Sequence, residues 1–596
     1  MIQRYGLLLG AVLILFTGCA GVPENGAIQP LYEINVSRIK QDREDGRIVM
    51  AMQDLFLLQS RAERKGAGEQ SSEIITLKEK LKEELKQKFQ TSLDNHEYET
   101  ASRLSVSARQ AGWEEILDRD HLSLKRDHVM FELEKGNPVR ALALARQIDD
   151  FSIFEEEQLQ QMLEGAIEEE KYTTAGMILE ELGRRDVDPL HQLPENSADK
   201  YSQAQLIRGT VTIWVNRGMR IEDGVGLPDR VIGSGFYVDR RGYIITNYHV
   251  IRSQVDPKYE GYSRLFIRPS KNPEDKIPAK VVGYDSAFDI ALLKVEMSPE
   301  TVLSFSPVKE QAAGDRIYAI GSPGGLENTV TSGIVSATDR RFLQMGNVVQ
   351  VDVPINQGNS GGPLLDGNGN LIGVVFAGIE QFEGINFAIP VQWVMHIFPQ
   401  LYKEGQISHP FLGVSLYELD EGLEVKYVLP SSPADRIGIQ AGDVLQEMAG
   451  TAVDSIVAAH DTILHYTPET LVEIKWSRGS IQHTGLTVLT TRPEIPLKKV
   501  IDYGQPEQLF APAFGMQVEK IRDNLLGTRY LVEKVYNGSV ADETGISVND
   551  PFSLQQWKYL EEQKIILSQI RIKKRKAGFL ETGVQLGAYI ETNDFL

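Results

Sequence analysis

The 596 residues carry 62 Lys and Arg against 83 Asp and Glu, a net charge of −21, and 42% of them are hydrophobic. That is the composition of a globular chain long enough for several domains, and its acidic balance excludes a general nucleic-acid surface, which needs a basic face. The run Lys573-Lys574-Arg575-Lys576 is a local exception and reads as a solvated strand or loop end. Phosphate-loop and Cys/His ligand patterns are absent, so no nucleotide, metal or other cofactor is expected.

Residues 1–19 read as a secretory signal. Arg4 gives the start a positive charge, Tyr5 to Phe16 is an apolar run too short for a confident membrane span, and small residues follow. Cys19 is the single cysteine, so no internal disulfide can form. Phe16-Thr17-Gly18-Cys19 resembles a bacterial lipobox, which implies cleavage before Cys19 and its acylation, and so a lipid anchor in the cell envelope with the protein on the extracytoplasmic side. The alternative is a plain signal peptide with an incidental cysteine. Residues 20–37 look like a tether.

Residues 38–185 have helical periodicity, with Leu77, Leu81 and Leu85 among Lys and Glu. Three polar turns each lead to an alanine: Asn95 to Ala101, Lys135 to Ala141 and Glu169 to Ala175. Ala141 and Ala175 are 34 positions apart, the tetratricopeptide period, whereas Ala101 and Ala141 are 40 apart. The segment is therefore expected to be an all-α, tetratricopeptide-like domain, serving either partner binding and assembly or as a spacer. Residues 186–204, with Pro189 and Pro194, read as a linker.

From Leu206 the period changes to two, and Thr210 to Val215 alternates as a half-buried strand. Short strands and glycine turns continue to about Pro390, the habit of a β-barrel pair, and Val391 to Tyr402 reads as a closing helix. Three side chains in this region can do acyl-transfer chemistry. His249 ends the apolar strand Tyr243 to Thr246, Asp289 opens the apolar run Ile290 to Leu293, and Ser360 sits in Gly358-Asn359-Ser360-Gly361-Gly362. A glycine-rich turn can present a serine hydroxyl and aim the Gly358 and Ser360 N–H groups at one point, which supplies a nucleophile and donors for an oxyanion. The order His, Asp, Ser is that of chymotrypsin-like proteases.

Gly233-Ser234-Gly235-Phe236, Thr246-Asn247-Tyr248-His249-Val250, Asp289-Ile290-Ala291-Leu292-Leu293, Thr331 to Ser336, Gly358 to Leu364 and Phe387-Ala388-Ile389-Pro390 together resemble the HtrA family of serine proteases. The resemblance implies a chymotrypsin-like double β-barrel over residues 205–402, with His249, Asp289 and Ser360 catalytic and the Asn359 N–H a third oxyanion donor beside Gly358 and Ser360. It also implies a homotrimer, and mobile loops at Gly321 to Leu326 and Pro354 to Gly358, where Gln357 stands in place of a common proline. The substrate pocket is expected between Ala377 and Phe387, lined by Ile385 and Phe387 with Glu380 and Glu383 near; the resemblance implies a small aliphatic residue there, while Glu383 leaves another preference open.

Phe411-Leu412-Gly413-Val414 resembles the carboxylate-binding loop of PDZ domains, and Ser431 to Ala434, Gly438 to Asp443 and a helix from Ile456 to His465 follow in PDZ order across residues 409–492. Loop N–H groups would hold a peptide's terminal carboxylate while the peptide adds as a strand. Residues 510–596 repeat the pattern: Gly538-Ser539-Val540-Ala541 and Gly545 to Asp550 keep the offsets of the first copy, and Phe514-Gly515-Met516 is the candidate opening loop. The departures after Pro551 make this copy a degenerate, PDZ-like domain. The expected function is ATP-independent endopeptidase action on misfolded or regulatory proteins in the envelope, with PDZ recognition of C-terminal peptides; the alternative is a catalytically silent scaffold.

Overall fold

The structure is a computed structural model. It describes residues 31–596 apart from 65–71, 149, 194–202, 223, 260–262, 306–310, 323–328, 342, 356–357, 379–384, 421, 525–526, 562 and 576–578. Cys19 and the signal segment lie outside the described residues, as do Gln357, Glu380, Glu383 and most of the loop after Ser322.

The N-terminal region is an array of helical hairpins, pairing Leu31–Glu44 with Ile48–Arg64, Ser72–Asp94 with Tyr98–Gln110, His121–Glu134 with Pro138–Ile148, and Glu156–Glu168 with Tyr172–Arg184. Residues 31–37 of the expected tether are helix. One local device makes every hairpin. Gly46, His96, Gly136 and Glu170 have φ between 55 and 74°, and the next residue's N–H returns to the carbonyl five positions back at 2.7–2.8 Å. This closes the last helical turn and reverses the chain. The second helix of each hairpin then carries a wholly buried alanine, Ala51, Ala101, Ala141 or Ala175, where a larger side chain would hold the helices apart. The copy at Gly46 and Ala51 escaped the sequence comparison because the long helix Ser72–Asp94 breaks the period.

Two barrels follow. In the first, the strands pair in the order Ile277–Asp285, Arg264–Pro269, Thr210–Glu222, Val225–Asp239, Tyr243–Thr246, Ile290–Val295, and the last pairs back onto the first. The second is a closed barrel of Arg316–Gly321, Thr329–Arg340, Val348–Val351, Pro363–Asp366, Leu371–Gly378 and Asn386–Pro390. Helix Val391–Leu401 packs beside it, fixed by the Trp393 indole donating to Asn347 at 2.7 Å.

The first PDZ unit is a six-stranded sheet running from Val414–Leu419 to Ile481–Val488, with the short strand Thr451–Ala452 paired on Val444–Met448, and with helix Ile456–Leu464. The second has a five-stranded antiparallel sheet from Met516–Asn524 to Phe579–Tyr589. The repeat is physical as well as sequential. Gly413 has φ +88° and Gly515 φ +69°, and in each case an added Cβ would lie 2.2 Å from the Cβ of a serine, Ser432 or Ser539. Each serine caps the following short helix, accepting from the Asp435 or Asp542 N–H. Among the described residues no helix follows Val540–Glu543, so the second copy has no counterpart of Ile456–Leu464 at that place in the chain.

The helical array braces the rest. Gln53 accepts from the Val488 N–H at 3.1 Å, and Ser107 and Gln110 accept from the N–H groups of Leu471 and Glu473 at 3.1 and 2.9 Å, which satisfies strand groups of the first PDZ sheet. On the protease side, buried Lys171 donates to the Val238 carbonyl at 2.8 Å, and Arg140 to the Pro399 carbonyl at 3.0 Å. Buried polar groups left unpaired cost about 1–3 kcal/mol each, so these contacts hold both units in one arrangement.

Candidate active site

Strand register brings His249 and Asp289 together. Tyr243–Thr246 pairs antiparallel with Ile290–Val295, Thr246 opposite Ala291, so the residues just past each strand's end are neighbours. Asp289 sits at φ +55°, a conformation that aspartate tolerates better than most residues. Its carboxylate accepts from the His249 backbone N–H at 2.8 Å and pairs with His249 Nδ1 at 2.7 Å. The Asp289 carbonyl accepts in turn from the Asn247 side chain at 2.9 Å and the Tyr248 N–H at 3.1 Å. The histidine side chain keeps 45% of its surface open. Crowding on its inner edge disfavours the charged ring, but the Asp289 carboxylate and its hydrogen bond outweigh that, so His249 titrates above its ordinary value of 6.5.

Ser360 comes from the other barrel, on the turn before Pro363–Asp366. Gly361 has φ +87°, and a Cβ there would lie 2.3 Å from the Ser234 carbonyl oxygen. Only glycine permits that close approach. The turn is tied to the first barrel by Ser234, whose N–H donates to the Ser360 carbonyl at 2.8 Å and whose hydroxyl donates to the Gly358 carbonyl at 2.6 Å. The Ser322 N–H reaches the same hydroxyl at 3.0 Å, and Ser322 shares a 2.6 Å bond with Thr212. The wholly buried Ser234 stands in the sequence motif Gly233-Ser234-Gly235-Phe236 but was given no role of its own there. A hydroxyl between two glycines, Gly233 and Gly235, was the available signal.

Among the described residues, the N–H groups of Gly358, Asn359 and Ser360 donate to no backbone carbonyl, and Gly358 has φ +112°. Ser360 has no hydrogen bond to His249 among the described residues; its hydroxyl donates to the Phe376 carbonyl at 3.1 Å. Phe387 is 5% exposed and packs in the core, while Ile385 is half-buried against the same cluster.

The loop expected to hold a carboxylate behaves differently along its length. The N–H groups of Leu412, Gly413 and Val414 converge on the Leu596 oxygen at 3.2, 2.7 and 3.3 Å. Phe411 is 2% exposed and packs in the core of the second PDZ unit, in the cluster of Leu497, Phe510 and Phe514.

Comparison with known proteins fits this geometry. The trypsin-like peptidase domain family matches residues 233–374, the PDZ domain family 410–487, and the TP0546 family PDZ domain 497–590. A probable periplasmic serine endoprotease, DegP-like, of Marinomonas sp. is 31% identical over 55% of this chain and 71% of its own length. A protein of the same description from Chlamydia pneumoniae is 32% identical over 54% of this chain and 67% of its own. The chain belongs to the HtrA family of serine proteases. A solved structure described as HtrA-type protease AlgW with decapeptide is 25% identical, covering 49% of this chain and 99% of that one, with a TM-score of 0.42. The matches to the two DegP-like relatives leave nearly half of this HtrA chain uncovered.

Proposed function

We propose that Ser360 of this HtrA protease is the nucleophile, His249 its base and Asp289 the group that orients and charges-balances the imidazole, in an envelope enzyme that cleaves misfolded or regulatory proteins. The observation that carries this is the 2.7 Å contact of His249 with Asp289, set across the barrel interface from a glycine turn bearing Ser360. In the reaction Ser360 Oγ leaves the Phe376 carbonyl, gives its proton to His249 Nε2 and attacks the peptide carbonyl. The N–H groups of Gly358, Asn359 and Ser360 take the developing oxyanion, where each lost donor costs about 2.7–4 kcal/mol of barrier. The imidazolium then protonates the leaving amine, and water repeats the sequence on the acyl-enzyme.

Ile385 and the edge of Phe387 would bound a pocket for a small aliphatic side chain. Unfolded casein is expected to be cut while a folded protein of similar size survives, since only an extended chain can lie in the cleft. Equal cleavage of both, or of neither, would refute the misfolded-substrate reading. A fluorophosphonate that left Ser360 unlabelled would favour a silent scaffold instead. The hairpin array is of the tetratricopeptide type in this reading, acting as an internal brace.

The envelope location follows from the names of the periplasmic relatives and from the signal-like N-terminus. No helix among the described residues is long and apolar enough to cross a membrane. We place the anchor at acylated Cys19. One acyl chain binds membranes only marginally and stable anchoring takes more than one signal, so the several chains of a lipoprotein would suffice. Cys19→Ser is expected to move the protein to the soluble fraction. A mutant that still sediments with membranes after a high-salt wash would put the anchor elsewhere.

A further inference from the structure

The first PDZ groove is filled by the chain's own residues 594–596. They lie antiparallel to Val414–Leu419, with Phe595 opposite Ser415. The Leu596 N–H donates to the Val414 carbonyl at 2.9 Å, and the Leu416 N–H donates to the Asp594 carbonyl at 2.8 Å. Together with the three loop N–H groups on the Leu596 oxygen, this is β-strand addition with an oxygen held at its end. Phe595 and Leu596 are 0% and 2% exposed. Leu596 joins the apolar cluster of Leu412, Val414, Ala459 and Ile463, whereas Phe595 faces the core of the second PDZ unit.

The residue two before Leu596 is read by charge. Asp594 accepts from the Ser415 hydroxyl at 2.8 Å and is ion-paired with Lys426, both on strands of the groove wall. The occupied groove also touches the protease. Asn593 donates to the Leu343 and Gly346 carbonyls at 2.9 and 2.8 Å. His460, on the groove helix, lies 3.2 Å from the Phe595 carbonyl through Nε2 and accepts from the Gly346 N–H at Nδ1. Burial holds this ring neutral, well below the ordinary histidine range, so it donates through Nε2.

We infer that the first PDZ groove selects peptides ending in an acidic residue, an apolar residue, then an aliphatic residue with a free carboxylate, and that residues 594–596 are its resident ligand, which an external peptide must displace. The inference deepens the peptide-recognition part of the proposed function and does not depend on hydrolysis. The last strand ends at Tyr589, so the connection to the groove is short. A short connection gives an effective concentration on the order of 1 mM, and a peptide of about 10 μM intrinsic affinity would then bind about 100-fold more weakly in trans.

The test measures binding of a fluorescent peptide with the sequence of residues 589–596 to the otherwise full chain carrying Ser360→Ala. The chain lacking residues 594–596 is expected to bind it about 100-fold tighter than the intact chain. Asp594→Lys, which disturbs the resident segment and spares the groove wall, is expected to tighten binding in the same direction and decides the matter if the shortened chain does not fold. Probes with Lys in place of the acidic residue, or with an amidated C-terminus, should bind at least about tenfold more weakly. Equal affinity for intact, shortened and Asp594→Lys chains would overturn the inference, as would indifference to the acidic residue. Fluorophosphonate labelling of the Ser360 proteins, run in parallel, reports the protease reading separately: failed labelling with separated affinities rejects hydrolysis and upholds the resident ligand.

Discussion

Ser360→Ala is expected to lower peptide-bond hydrolysis by about 10⁶ in kcat, the loss seen when a triad serine is removed from subtilisin. The residual rate reflects the oxyanion donors and substrate binding, which the substitution spares. The fold should survive. The serine side chain makes one described hydrogen bond, to the Phe376 carbonyl, and such a bond contributes a net of about 0.5–1.5 kcal/mol. The backbone that sets the turn is held by Ser234 and by Gly361, which stay unchanged. Purified variant protein with wild-type thermal unfolding and casein cleavage at the blank rate is the expected result. Substantial cleavage by that preparation would remove Ser360 from the chemistry.

Asp289→Asn is expected to cost about 10⁴ in kcat, because an amide cannot hold the imidazole in the productive tautomer and stabilise its charged form. Asparagine is the informative replacement: it also tolerates the left-handed backbone that Asp289 adopts, so strain does not confuse the result. The same carboxylate sets the pH dependence. His249 must be neutral to accept the serine proton, and Asp289 raises its pKa against the opposing effect of burial. The wild-type rate should therefore fall away with acid through a midpoint above 6.5. In Asp289→Asn the opposing burial is left alone, and the acid limb should move to lower pH. A limb at the same pH in both proteins would mean that another group controls it.

Much of the protein was legible because its devices are local. The repeated turns of the helical region were visible as polar segments followed by alanine, since a helix-ending left-handed residue and a small packing residue lie within one short stretch. The PDZ repeat was visible for the same reason: Ser432 and Ser539 each cap their own helix within three residues. His249, Asp289 and Ser360 could be singled out because each sits at the end of an apolar strand or within a glycine turn. What Phe411 packs against was not legible in the sequence. Alternation along a strand says that neighbours face opposite sides, but not that the second side is covered by Phe510 and Phe514.

The sequence by itself determined the family motifs and the residue types available for acyl transfer, because propensity, capping and turn geometry act over a few residues. Tertiary structure alone decided what those parts touch. The bond from Ser234 to Gly358 joins residues 124 positions apart, and the pair Lys426 and Asp594 spans 168. Nothing local in Asn593 to Leu596 marks it as a ligand. It becomes one where an unpaired strand edge, three inward N–H groups and a lysine are presented to it at once, and that convergence exists only after the distant segments have packed.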